Sequence, residues 1–211
     1  MPGQRLVFLP GMGADRRLFA GLGLDGPGTL HAEWIPHRPD EDLAGYAQRH
    51  ATHHGIGAGD ILIGVSMGGM VAAAIAHARR TGGLILVSTC TDTRQMEPLV
   101  ATVLPVLPLL PYGMTRCLPR WSRPGRIRPL LDMFEVHDMA FIRWAFRAIR
   151  HWPGVSRPPG AVSIHGSADR LFPLRRQPRV DTVIAGGGHF MVLDRAREVA
   201  DAIRAALARF G

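Results

Sequence analysis

Asp60-Ile61-Leu62-Ile63-Gly64-Val65-Ser66-Met67-Gly68-Gly69-Met70-Val71-Ala72-Ala73-Ala74-Ile75-Ala76 decides the fold of this chain. Its first residues form an apolar, β-branched run that reads as a buried strand, and its last ones read as a buried helix. Between them stands Gly64-Val65-Ser66-Met67-Gly68, of the form Gly-x-Ser-x-Gly. A serine on a sharp strand-to-helix turn is lifted clear of the sheet, with its hydroxyl exposed and its backbone strained. The flanking glycines keep a side chain from colliding with the neighbouring strand or helix. The helix that follows turns its amide donors and positive dipole end back toward the serine. That arrangement suits an oxyanion formed when the serine attacks an acyl carbon. Without the flanks, the same pattern would describe an ordinary tight turn.

Outward from this stretch, strands and helices alternate. Leu6-Val7-Phe8-Leu9 reads as a strand ending at Pro10-Gly11-Met12-Gly13. A weakly alternating segment, His31 to Pro36, is a second strand, and Asp40 to His54 has helical character up to Gly55. The runs 60–65, 83–88, 161–165 and 180–184 are further strands. Ala196, Val199, Ile203, Ala206 and Phe210 recur at helical spacing near the C-terminus. Alternation of this kind implies βαβ units and a mainly parallel α/β sheet, whose sites lie at the carboxyl ends of the strands. The block 91–159 breaks the alternation. It is Pro- and Arg-rich, contains the apolar run Leu99 to Tyr112, and follows a strand's carboxyl end. We expect residues 1–90 and 160–211 to form the core and 91–159 a helical cap or lid over the serine.

A serine hydroxyl needs a base to take its proton, and the base needs a third group to hold its tautomer. His189, in Gly186-Gly187-Gly188-His189-Phe190, follows the last strand. Asp169, in His165-Gly166-Ser167-Ala168-Asp169, follows the strand before it. Asp92, just past the strand ending at Ser88, is the competing carboxylate. His165 itself sits in a strand and reads as a packed, hydrogen-bonded histidine. The order Ser66, Asp169, His189 is that of α/β-hydrolases. The chain resembles that family over nearly its whole length, and in particular its small bacterial esterase and thioesterase-like members. The matching pieces are Leu9-Pro10-Gly11-Met12-Gly13, Gly64-Val65-Ser66-Met67-Gly68-Gly69, His165-Gly166-Ser167-Ala168-Asp169 and Gly187-Gly188-His189-Phe190. The resemblance implies Ser66 as nucleophile, His189 as general base and then acid, and Asp169 as orienting carboxylate. It also implies an oxyanion hole from the backbone amides of Met12 and Met67. The family often carries His-Gly where this chain has Pro10-Gly11, and Pro10 has no amide hydrogen to offer.

Composition sets further bounds. With 211 residues and 46% hydrophobic content, the chain can bury a sizeable core in one domain. The opening Met1-Pro2-Gly3-Gln4-Arg5 leads straight into a strand with no signal-peptide pattern, so a cytoplasmic location is expected. The run Leu99 to Tyr112 carries Pro105, Pro108 and Pro111 and is shorter than the roughly 20 residues that span a bilayer. No integral membrane segment is therefore expected. Cys90 and Cys117 are too few for a disulfide framework. The net charge of +8 comes from arginine alone. Arg116, Arg120, Arg123, Arg126 and Arg128 cluster, but no interleaved aromatics or nucleic-acid motif accompanies them, so a solvated charged face is the expectation and nucleic acid is not an expected partner. His50, His53 and His54 lack a carboxylate or cysteine to complete a metal set. Gly11-x-Gly13 lacks the third glycine of a dinucleotide fingerprint, since position 16 is arginine.

The expected activity is hydrolysis of a carboxylic ester or thioester of small-molecule size, with no metal or organic cofactor. Two alternatives remain at this stage. One is a non-catalytic binding protein on the same fold, and the other is a C–C bond hydrolase or perhydrolase using the same three residues. The acyl chain, the leaving group and the oligomeric state are not legible in the sequence.

Overall fold

The computed structural model describes residues 4–98 and 139–211. Six strands form one sheet: β1 (Arg5–Leu9), β2 (Thr29–His31), β3 (Asp60–Val65), β4 (Gly83–Val87), β5 (Val162–Gly166) and β6 (Thr182–Ile184). Their order is β2-β1-β3-β4-β5-β6 and every pairing is parallel. The central strands are apolar on both faces because both faces are covered. Alternate residues divide between two cores. Val7, Leu9, Leu62, Leu84 and Leu86 face one side; Phe8, Ile61, Ile63, Ile85 and Val87 face the other.

The first side is covered by α1 (Leu43–His53), α2 (Met67–Ala78) and α3 (Met139–Arg150). The second is covered by a 3-10 helix (Arg16–Leu22), a short α4 (Met191–Asp194) and α5 (Ala196–Leu207). α2 is built of small apolar residues because it lies between α1 and the sheet: Met67 through Ile75 are all buried. α5 is amphipathic, burying Val199, Ala200, Ala202, Ile203 and Ala206.

The second strand differs from the expected 31–36. It pairs at Thr29–His31, and the chain then leaves the edge. Pro36 offers no donor, and the amide and carbonyl of Ile35 are taken by the buried Tyr46 hydroxyl, at 3.1 and 3.0 Å. Of the expected cap, residues 99–138 lie outside the described residues, with the Leu99–Tyr112 run, the arginine cluster and Cys117 among them. The described ends of 91–159 meet each other at the sheet. The Val155 amide donates to the Thr91 carbonyl at 2.8 Å. Gly154, at φ +81°, packs so closely that a Cβ would lie 2.6 Å from that same oxygen. α3 lies on α1, with the Trp144 and Tyr46 rings 4.6 Å apart and the Trp144 indole donating to the Glu41 carbonyl at 2.8 Å. No described helix is long and apolar enough to cross a membrane.

His50 of α1 is fully buried and donates from Nε2 to the Glu33 carbonyl at 3.1 Å. Burial, with His54 and His53 nearby, holds its pKa down at about 3, so it folds neutral. An unfolded chain takes up a proton at this imidazole below its ordinary pKa of about 6.5, whereas the folded chain does not. Stability is therefore lost as the pH falls from about 6.5 toward about 3. At about 1.4 kcal/mol per pH unit, acidification to about pH 5 should cost roughly 2 kcal/mol through His50. Urea midpoints of the wild type and His50→Gln at neutral and mildly acidic pH measure this; the variant should lose less on acidification.

Candidate active site

At the end of β3 the backbone turns sharply into α2, and Ser66 occupies the turn at φ +52°, ψ −122°. A non-glycine residue there is strained and must be held by its surroundings. Glycines make the turn sterically possible. A Cβ on Gly64 would lie 2.5 Å from the Gly68 carbonyl oxygen, and one on Gly68 would lie 2.2 Å from the oxygens of Leu9 and Pro10. The elbow is thereby pressed against the end of β1. The Ser66 carbonyl is fastened by the Gly69 amide at 2.9 Å and by the Thr89 hydroxyl at 2.5 Å. A Cβ on Gly69 would lie 2.4 Å from Thr89 Cγ2, so that glycine makes room for the threonine. Thr89 follows β4 and nothing in its local sequence marks it as part of the elbow.

The loop after β6 brings in the histidine. Gly186 turns the chain at φ +67°, and Gly166 at the end of β5 must be glycine because a Cβ would lie 2.2 Å from the Gly187 carbonyl. His189 Nε2 stands 3.0 Å from Ser66 Oγ, although 123 residues separate them. Its Nδ1 stands 3.1 Å from Asp169 Oδ2. The other carboxylate oxygen accepts the amides of Leu171 and Phe172 at 2.9 and 3.0 Å. Burial pushes the Asp169 carboxyl upward. The hydrogen bond and charge of His189, with the Phe172 amide, outweigh it and hold the group below the ordinary carboxylate range. An ionised Asp169 accepts the Nδ1 proton and leaves Nε2 free to accept from the serine hydroxyl.

Of the two carboxylates weighed from sequence, Asp169 is the one at His189. Asp92 instead caps the 3-10 helix Thr93–Gln95 and pairs with Arg94 at 2.5 Å. His165 is buried, donates to the Phe172 carbonyl at 2.6 Å and lies 3.7 Å from Asp169 Oδ2. Burial lowers its pKa, so it is a neutral, packed histidine in the strand. Met67 and Met70 point into the core at 1% exposure each. Met67 is the first residue of α2, where an amide has no acceptor within the helix. Met12 follows Gly11, where a Cβ would lie 3.6 Å from Ser66 Cβ, so the loop after β1 borders the serine. Phe190 packs edge-on to His189, its ring centroid 5.2 Å away, and is 41% exposed. His50 and His54 both turn to the Glu33 carbonyl, and no group of three metal-ligating side chains is found among the described residues.

A model of the alpha/beta hydrolase family matches residues 6–202, which takes in the elbow, the carboxylate and the histidine. The chain belongs to the alpha/beta hydrolase family. No curated protein sequence matches it. Solved structures similar to this alpha/beta hydrolase include a thermophilic esterase from Thermogutta terrifontis, 21% identical, with a TM-score of 0.74 over 99% of this chain and 90% of that one. A 2-hydroxy-6-oxo-6-phenylhexa-2,4-dienoate hydrolase from Rhodococcus sp. strain RHA1 is 18% identical, with a TM-score of 0.69 over 98% and 91%. The N-acyl homoserine lactonase AidH is 17% identical, with a TM-score of 0.66 over 99% and 90%. Identities this low carry the alpha/beta hydrolase fold and leave the substrate open.

Proposed function

We propose that this alpha/beta hydrolase cleaves a carboxylic ester or thioester through an acyl-enzyme on Ser66. The observation that carries the reading is the hydrogen-bonded line from Ser66 Oγ to His189 Nε2 at 3.0 Å and from His189 Nδ1 to Asp169 at 3.1 Å. Ser66 Oγ attacks the acyl carbon while its proton passes to His189 Nε2. The amides of Met67 and Met12 receive the developing oxyanion. The bond to the leaving oxygen or sulfur breaks as His189 returns the proton to it. Water then gives a proton to His189 and its oxygen to the acyl carbon, the acid departs, and Ser66 regains its hydrogen.

Asp169 stays ionised throughout and fixes which ring nitrogen faces the serine. The segment 91–159 serves as a cap that selects the acyl or alcohol portion. This part of the reading is supported by its attachment after β4 and by the contact of its α3 residue Phe141 with Trp34, at 5.6 Å between ring centroids. Labelling with a fluorophosphonate probe, followed by p-nitrophenyl esters and acyl-thioesters of graded length, tests the activity. Labelling at Ser66 with turnover of at least one ester or thioester is expected. A protein that takes no label and turns over none of the panel is a binding protein on a hydrolase fold.

A further inference from the structure

The carbonyl of Gly11 is held from two directions. The Ala14 amide reaches it at 3.0 Å and closes a turn over Met12 and Gly13, whose φ of +70° fits the third position of a type II turn. The Trp34 indole Nε1–H reaches the same oxygen at 3.1 Å, from 23 residues away in sequence. A carbonyl oxygen has two lone pairs, and here both are used.

That carbonyl shares a peptide unit with the Met12 N–H. The unit is planar and trans, so the N–H points opposite to the C=O. Whatever fixes the direction of the Gly11 carbonyl therefore fixes the direction of the Met12 amide. Trp34 is itself held in place: its ring lies 6.1 Å from Tyr46, 5.7 Å from His50 and 5.6 Å from Phe141, centroid to centroid.

We propose that Trp34 is a positioning residue for catalysis, its indole N–H aiming the Met12 amide, through the Gly11 carbonyl, at the oxygen that becomes negative when Ser66 attacks. This rests on the serine-hydrolase reading above. Oxyanion donors act by being aimed before the charge develops, and outright loss of one costs about 10²–10³ in turnover. Loosening one of two restraints on a donor that is still present should cost less, about tenfold in kcat. Because the effect is confined to the transition state, KM should stay within about twofold.

The test compares wild type, Trp34→Phe, Tyr46→Phe and Ser66→Ala. For each, kcat and KM on a p-nitrophenyl ester are measured, with the thermal midpoint and the inhibition constant of an aryl trifluoromethyl ketone. The ketone's adduct with the serine hydroxyl carries an oxyanion. Trp34→Phe should lower kcat and weaken the ketone by the same factor of about ten. Tyr46→Phe breaks the two hydrogen bonds to Ile35 within the same aromatic cluster; it should lower the thermal midpoint and leave kcat and the ketone unchanged.

If Trp34→Phe keeps kcat and ketone affinity, or if both variants lose them equally, Trp34 merely packs and the inference is overturned. Should Trp34→Phe be too unstable to assay, 3-benzothienylalanine at position 34 keeps the ring shape and removes only the N–H, with the same outcomes expected. Ser66→Ala separates the two levels. If it retains turnover, the serine-hydrolase reading fails whatever Trp34 does; if it is inactive while Trp34→Phe behaves as wild type, only the aiming role fails.

Discussion

Replacing Ser66 by alanine is expected to lower turnover of the best ester by on the order of 10⁴–10⁶ and to abolish fluorophosphonate labelling. The size follows from the geometry. Ser66 Oγ is the atom placed 3.0 Å from the imidazole, and its loss removes the covalent route altogether. What survives is transition-state stabilisation by the backbone donors and by binding, which acts without a nucleophile. The fold should persist, because the Ser66 side chain makes no capping hydrogen bond to α2 whose loss would weaken the helix. Mass spectrometry of the labelled protein, with kcat/KM on the same ester, reads both outcomes. A variant that still turns over the ester at the wild-type rate would overturn the nucleophile assignment.

Asp169→Asn should cost about 10⁴ in kcat with little change in the fold. An asparagine can keep its carbonyl oxygen on the amides of Leu171 and Phe172, where Asp169 Oδ1 sits at 2.9 and 3.0 Å. Its NH₂ group then faces His189 Nδ1. Two donors cannot share that contact, so Nδ1 becomes the acceptor and the ring proton moves to Nε2. Nε2–H then points at Ser66 Oγ and no longer accepts its hydrogen. Rates across the pH range distinguish this from a simple loss of stability. Hydroxide at high pH should recover part of the activity of a wrong-tautomer enzyme, whereas a misfolded one recovers none. Equal kcat values for Asp169→Asn and the wild type would mean that the carboxylate does not set the tautomer.

The sequence was most readable where burial is complete. β3 matches the expected 60–65 to the residue, because a strand covered on both faces is an unbroken apolar run and bounded by turn residues. The three residues proposed for the chemistry stand out in the sequence for a different reason. Each sits beside glycines that the structure requires: Gly64 and Gly68 around Ser66, and Gly166 against Gly187 where the aspartate and histidine loops cross. A close backbone approach leaves a trace in the local sequence. Contacts between distant side chains and backbone leave none. Thr89 clasps the Ser66 carbonyl and Trp34 the Gly11 carbonyl across 23 residues each, and neither has a neighbouring pattern to betray it. β2 was misplaced because a three-residue edge strand with half-buried side chains carries little alternation, and its end is set by Tyr46, a residue of the following helix.

The clasp between Thr91 and Val155 has a corollary for engineering. The chain leaves the sheet at Thr91 and is received back at Val155 through one backbone hydrogen bond and one glycine packed against it. With both ends pinned, the entropic cost of added chain between them grows only slowly with its length, by about 0.6 kcal/mol for each doubling. Insertions between these two points that leave α3 and its contacts with Trp34 and Tyr46 in place should therefore come at small thermodynamic expense to the serine elbow. The boundary works as a socket: an engineer can add chain there while the α3 packing and the serine elbow stay as they are.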